Sequence, residues 1–260
     1  MKQVIHSLKN GKTTLTDTPV PSVAEGKVLI KTKVSLISPG TEKMLIDFGK
    51  SGIIGKARAQ PDKLNQVFEK IKTDGLQITL EKVLNKINDP VNLGYCNVGV
   101  VVDVGEKVTG FSIGDRVISN GEHAEVVSVS SNLCIKLPDS VTDENASFVV
   151  LGAIALQAIR LANPTIGETA VIFGLGLVGL LSVQLLQANG CKVIGIDFDE
   201  ERLAIAKSLG AEVISLKEHS NPNPLVMSIT EKRGADDCAM CLCAEVVTCP
   251  PARIASPSPR

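Results

Sequence analysis

The sequence has no tryptophan, a single tyrosine and only 3% aromatic residues over its 260 positions. Base-stacking platforms and interfacial aromatic girdles both need more. It has no basic surplus either, since 27 Lys and Arg stand against 28 Asp and Glu for a formal net charge of −1. Proteins that grip phosphate backbones by neutralising them carry excess positive charge, so no nucleic-acid partner is expected. Long apolar runs are missing as well. The longest, residues 148–156 and 170–181, fall short of the ~18 residues that a membrane span requires, so no membrane partner is expected. Residues 1–10 carry Lys2, His6 and Lys9 and lack the apolar core of a secretory signal, which makes the cytoplasm the expected address. The cysteine count of seven is odd, which does not suit a secreted disulfide framework. Cys96, Cys134 and Cys191 lie singly in apolar sequence and read as reduced, buried small hydrophobes.

What is present is the composition of a globular protein, 44% hydrophobic and 21% charged. Val28, Ile30, Thr32, Val34 and Leu36 alternate with Leu29, Lys31, Lys33 and Ser35, the period of a strand with one wet face. Val98, Val100, Val102 and Val104 alternate likewise up to Gly105. Shorter β-rich pieces follow at 116–118, 124–129 and 133–135, separated by turn signals at Gly110, Gly114-Asp115, Asn120-Gly121 and Pro138-Asp139. These predict a small, partly closed β-barrel over residues 1–145. Residues 41–88 break the pattern: Leu64, Val67, Phe68 and Ile71, then Leu76, Leu80, Val83, Leu84 and Ile87, recur at helical spacing. Two or three inserted helices are predicted there, because a structureless loop of that length is improbable.

From residue 146 helix and strand alternate. Residues 146–162 and 177–189 predict helices, with a helix also at 200–209. Strands are predicted at 169–173, 192–197 and 212–215. Units of this length imply parallel pairing with right-handed crossovers. Between the first of these strands and its helix lies Gly174-Leu175-Gly176-Leu177-Val178-Gly179, a G-x-G-x-x-G run in the context that gives the pattern meaning. The first glycine permits a tight turn, Gly176 lets a pyrophosphate approach bare backbone, and Gly179 lets the helix pack close to the strand. The helix start then offers free N–H groups to phosphate. Asp197 ends the next strand, 18 residues after Gly179. Its carboxylate suits the ribose hydroxyls of NAD and repels a 2′-phosphate, and Phe198, Asp199, Glu200 and Glu201 supply no cation for NADP.

With these motifs the sequence resembles the medium-chain dehydrogenase/reductase family, the zinc-type alcohol dehydrogenase-like proteins, over about residues 1–235. Gly99–Gly105 (GVVVDVG), Gly110–Val117 (GFSIGDRV) and Gly167–Gly179 (GETAVIFGLGLVG) carry the likeness. It implies an α/β plus β architecture: a GroES-like catalytic barrel with the helical insert at 41–88, then a partial Rossmann doubly wound parallel sheet over 146–236. The insert is similar to that of two-module bacterial oxidoreductases linked with sugar precursors, in which a downstream module or a homo-oligomer is a possible partner.

The family's zinc ligands do not carry over. Where its metal-binding members place a cysteine after the long barrel strand, this sequence reads Leu36-Ile37-Ser38-Pro39-Gly40-Thr41-Glu42. Its Gly-His-Glu step appears as Gly94-Tyr95-Cys96, and the third ligand position falls near Val149. Zinc needs three protein donors at about 2.0–2.3 Å, so no catalytic metal is expected. A metal-free hydride-transfer site must polarise its carbonyl by hydrogen bonding or by a positioned acid. Tyr95, placed by the resemblance at the active cleft, is the first candidate, with Ser38, Thr41 and Glu42 lining a small-molecule substrate pocket. The same residues also suit turn and helix-cap chemistry. His123 reads as a solvated loop histidine, and His6 and His219 have no assigned role.

After Asp236 the texture changes. Residues 237–260, with Cys238, Cys241, Cys243 and Cys249 among Pro and Ser, predict an irregular tail. A thiolate metal knot and a truncated or out-of-frame end compete there, and the second is expected to leave the chain unstable or inactive. The sequence thus predicts a zinc-independent oxidoreductase moving hydride between NAD(H) and a sugar-related alcohol or carbonyl. A non-catalytic NAD-binding module and an NADPH-dependent quinone-reductase-like enzyme are the alternatives.

Overall fold

A computed structural model describes residues 1–50 and 90–240. The two amphipathic runs expected at 64–71 and 76–87, and the cysteines at 241, 243 and 249, lie outside the described residues. The chain divides into two compact units, one spanning Met1–Val150 and the other starting at Leu151.

The first unit is antiparallel. β1 (Lys2–Ser7) lies between β2 (Thr13–Asp17) and β4 (Pro90–Asn92). A five-stranded sheet follows the order β7-β3-β5-β6-β8, with β3 at Lys27–Ser35, β5 at Asn97–Val104, β6 at Arg116–Ser119, β7 at Val126–Ser130 and β8 at Cys134–Lys136. A bridge between Gln3 and Ala124, with the amide of Val4 donating to the His123 carbonyl, ties the two sheets together. The alternation read in β3 holds, with Val28 and Ile30 fully buried and Lys31 and Lys33 exposed. That of β5 does not. Leu29 pairs with Asp103 and Ile30 with Val101, so Val102 is an extra, bulged residue that faces out. A bulge shifts the side-chain phase by one, so Val98 and Val101 point inward instead of Val98, Val100 and Val102.

Helix α1 (Pro39–Lys50) leaves the end of β3, and its residues from Thr41 on open the predicted insert. The helix expected at 146–162 is divided: a short α2 (Asp143–Ala146) stops where the Ser147 hydroxyl donates to the Glu144 carbonyl at 2.6 Å, and α3 runs Val149–Ala162. Such side-chain competition for helical carbonyls favours a break.

The second unit holds a parallel sheet of order β11-β10-β9-β12, with β9 Thr169–Phe173, β10 Lys192–Asp197, β11 Glu212–Ser215 and β12 Asp237–Met240. Asp237–Met240 correct the expected tail boundary. They pair with β9 from Ala170 to Phe173, since parallel ladders are made by backbone and demand only that side chains fit the flanking layers. Every residue of β9 is buried, as a strand covered on both faces should be. On one face Ala170, Ile172 and Val193 pack with Val183 and Leu186 of α4 (Leu177–Ala188) and Leu203 and Ala206 of α5 (Glu200–Ser208). On the other Val171, Phe173, Ile194, Ile196 and Ile214 meet Leu225 and Val226 of α6 (Asn223–Ile229). No described helix is long and apolar enough to cross a membrane.

Cys96, Cys134 and Cys191 are buried and take part in no disulfide. Burial pushes the Cys134 thiol up to about 11. The native state therefore keeps a proton that the unfolded chain releases at lower pH, so the stabilisation is present below the ordinary thiol range and lost as pH rises towards 11. Urea denaturation across alkaline pH should show a fall in stability that is shallower in Cys134→Ala; equal slopes would show that the thiol is not the titrating group.

Candidate functional site

β9 ends in an apolar layer, and the chain must turn to feed α4. Gly174 makes that turn with φ +88, a conformation that side chains rarely adopt. The buried side chain of Leu175 plugs into the core against Gly195, while its amide points the other way. That amide donates to Oδ2 of Asp197 at 2.6 Å. A Cβ on Gly176 would meet nothing within 4 Å, so open space lies over this backbone. Gly176 caps α4 without a side-chain hydrogen bond, leaving the first-turn amides from Leu177 and Val178 onward uncapped by side chain. A Cβ on Gly179 would lie 1.9 Å from the Gly174 carbonyl oxygen. The three glycines thus have three separate reasons to be glycine: backbone conformation, open approach and close packing.

Asp197 is 5% exposed. Its Oδ1 accepts from the amides of Phe198 at 2.7 Å and Asp199 at 2.9 Å, in addition to the Leu175 bond on Oδ2. A buried carboxylate needs such partners to offset its lost hydration. Arg202 extends from the first turn of α5 and places Nη1 3.9 Å from Oδ2 of Asp197. The residues 198–201 indeed carry no cation, but one helical turn brings this guanidinium back to the acid. Helical spacing was the signal that could have found it.

The hydroxylic residues of the first unit gather at the start of α1. The Tyr95 hydroxyl donates to Thr41 Oγ1 at 3.2 Å. Glu42 is buried, and its Oε1 accepts from the Ser38 amide at 2.8 Å, closing the turn that begins the helix. The structure therefore brings all four sequence candidates of this unit together, and their turn-and-cap chemistry is present in the same place. It also corrects the reading of His123. This histidine is 8% exposed rather than solvated, with Nδ1 2.9 Å from Ser35 Oγ and Nε2 3.2 Å from both carboxylate oxygens of Glu42. Its partners lie 81 and 88 positions away, beyond the reach of local pattern. His6, given no role, is likewise buried, its Nδ1 2.9 Å from Thr13 Oγ1.

A dinucleotide fits the bend at 174–179, because an open glycine, uncapped amides and an adjacent acid are all present. Zinc does not fit the donor set near Tyr95. Ser38 and Tyr95 offer hydroxyls, and among the described residues no three His, Cys, Asp or Glu side chains gather to hold a metal ion.

A glycine bend at the mouth of a parallel sheet, preceded by an antiparallel barrel-like unit, defines the class as a Rossmann-type nucleotide-binding oxidoreductase fold. The family described as alcohol dehydrogenase GroES-like domain matches residues 70–139, and that described as zinc-binding dehydrogenase matches 178–248. The chain belongs to the zinc-type medium-chain dehydrogenase/reductase family. It is 31% identical over 173 residues to (R,R)-butanediol dehydrogenase of Bacillus subtilis (strain 168), covering 56% of this chain and 49% of that enzyme. It is 30% identical over 148 residues to D-guloside 3-dehydrogenase of Escherichia coli (strain K12), covering 55% and 42%. In fold it is similar to Escherichia coli quinone oxidoreductase complexed with NADPH, with a TM-score of 0.70 at 19% identity over 91% of this chain and 64% of that one. The chain spans about half the length of the curated relatives it matches.

The glycine geometry separates two substitutions. Gly179→Ala forces a methyl group into backbone and should cost about 1–3 kcal/mol or more. Gly176→Ala enters open space at φ −70 and should leave the melting temperature within a degree or two of the parent, a small-effect surface change. Thermal melts of both variants check this; equal losses would contradict it.

Proposed function

We propose that this protein is a zinc-independent oxidoreductase of the medium-chain type that uses NAD(H) and acts on an alcohol or carbonyl carbon of a sugar-related small molecule. The observation that carries the reading is the bend at 174–179: open at Gly176, closed at Gly179, and tied by the Leu175 amide to the acid that ends β10. The amides at the start of α4 would hold the pyrophosphate, and the Asp197 carboxylate would accept from an adenosine ribose hydroxyl with the one lone pair that its three backbone donors leave free on Oδ2. A dinucleotide held there would supply the hydride donor or acceptor for the substrate carbon.

Tyr95 handles the accompanying proton at its hydroxyl oxygen, with Thr41 Oγ1 fixing the direction of the O–H. Ser38 and Glu42 shape the turn that presents Thr41, and Ser38 and Tyr95 stand where the metal-binding members of the family carry ligands. The relatives named for a butanediol and a guloside support a hydroxylated substrate. A second reading, NADPH as cofactor, has Arg202 in its favour, because its guanidinium lies within reach of a phosphate on the ribose. The carboxylate of Asp197 is nearer the bend and opposes it.

Calorimetric titration of the full chain with NADH and NADPH tests the reading. NADH should bind more tightly than NADPH, and Gly176→Ala should weaken NADH by about tenfold or more, roughly 1.4 kcal/mol, without unfolding the protein. Asp197→Ser should shift preference towards NADPH and, by removing three charge-assisted bonds, lower the melting temperature. Heat with neither nucleotide would remove the cofactor assignment. Binding without turnover on any alcohol or carbonyl would favour a nucleotide-holding module, and stoichiometric zinc by elemental analysis would overturn the metal-free part.

A further inference from the structure

The geometry points to His123 as the positioning residue of the Tyr95 site, a role that rests on the reading of Tyr95 as the proton-handling group. Two chain segments meet at the Tyr95–Thr41 hydrogen bond, and His123 holds both. On one side its Nε2 lies 3.2 Å from each oxygen of Glu42, whose Oε1 also accepts from the Ser38 amide and so fixes the turn that carries Thr41. On the other, its backbone amide donates to the Leu93 carbonyl at 2.7 Å, and its ring packs on Gly94, where a Cβ would lie 2.6 Å from Cγ. Gly94 adopts φ +94 and is followed directly by Tyr95. Tyr95, Thr41, Glu42, His123 and Gly94 thus form a closed ring of contacts.

The protonation pattern follows from the partners. A carboxylate only accepts, so the Glu42 bond requires hydrogen on Nε2, while Nδ1 shares a hydrogen bond with the Ser35 hydroxyl. Removing the Nε2–H group leaves the buried Glu42 without its side-chain donor, and the turn under Thr41 loses its anchor. The phenol of Tyr95 then loses its fixed direction. The imidazole is itself too buried to reach a substrate; it acts through Glu42 and Gly94.

Tyr95 is the only tyrosine in the chain, so tyrosine labelled with carbon-13 at Cζ alone gives one enriched resonance that reports this site. The measurement is made on the full chain without nucleotide, in the parent and in His123→Asn, His123→Gln and Glu42→Gln. Gln can place its amide N–H where Nε2–H was, whereas Asn reaches only the Nδ1 position. The expected result is a displaced tyrosine line in His123→Asn and Glu42→Gln and a line restored towards the parent in His123→Gln. With a carbonyl substrate and NADH, kcat should fall about ten- to a hundredfold in His123→Asn while KM for NADH stays constant, the loss typical of a mispositioned group. A line unmoved in both His123→Asn and Glu42→Gln overturns the inference, as does an equal displacement in His123→Gln. Should His123→Asn fail to fold, Glu42→Gln read against His123→Gln decides alone. A responsive line in a protein that binds neither nucleotide would uphold the positioning role and sink the oxidoreductase reading instead.

Discussion

One hydrogen bond joins the two features on which the proposed nucleotide recognition depends: the Leu175 amide donating to Asp197 at 2.6 Å. It connects the bend after β9 to the end of β10, and so fixes where the open face of Gly176 lies relative to the acid. Charge-assisted bonds to a buried carboxylate are among the stronger polar interactions in a protein. Leu175 makes the arrangement rigid by turning its side chain the other way, into the layer that also holds Ile172 and Val183. The same residue therefore belongs to the core by its side chain and to the site by its backbone.

The first unit builds its site by different means. There Glu42 and His123 are withdrawn from water and bonded to each other, with the Ser35 hydroxyl on the imidazole and the partly buried Tyr95–Thr41 hydroxyl pair beside them. Networks of this kind direct side chains more sharply than apolar packing does, because an unsatisfied member is costly. The family's metal-binding members orient substrate by a zinc ion; the proposed chemistry here leaves that orientation to hydroxyls held by a buried acid and imidazole.

How much could be read in advance depended on how local the cause was. The strands Thr169–Phe173, Lys192–Asp197 and Glu212–Ser215 were legible to the residue, because each is a short run with an apolar centre beside a turn glycine, Gly174, Gly190 or Gly210. The glycine run was legible for the same reason, since turn, approach and packing are imposed within six residues. β2 was not, for all five of its residues are exposed and no apolar face marks it. The bulge at Val102 was hidden because it arises from pairing with β3 rather than from the β5 sequence. His123 was misread because every contact that buries it comes from distant chain, and β12 because a cysteine-rich run can pair as well as a Val/Ile one when its neighbour supplies the ladder.

The central claim is that the backbone at 174–179 receives the phosphates of a dinucleotide. Amide hydrogen exchange with and without ADP-ribose tests it most directly, since this fragment carries the pyrophosphate and both riboses but no nicotinamide. Slowed exchange at the amides from Gly176 through Gly179, with the strands of the first unit unaffected, is the expected result. Exchange at those four amides that stays unchanged under saturating ADP-ribose would contradict it.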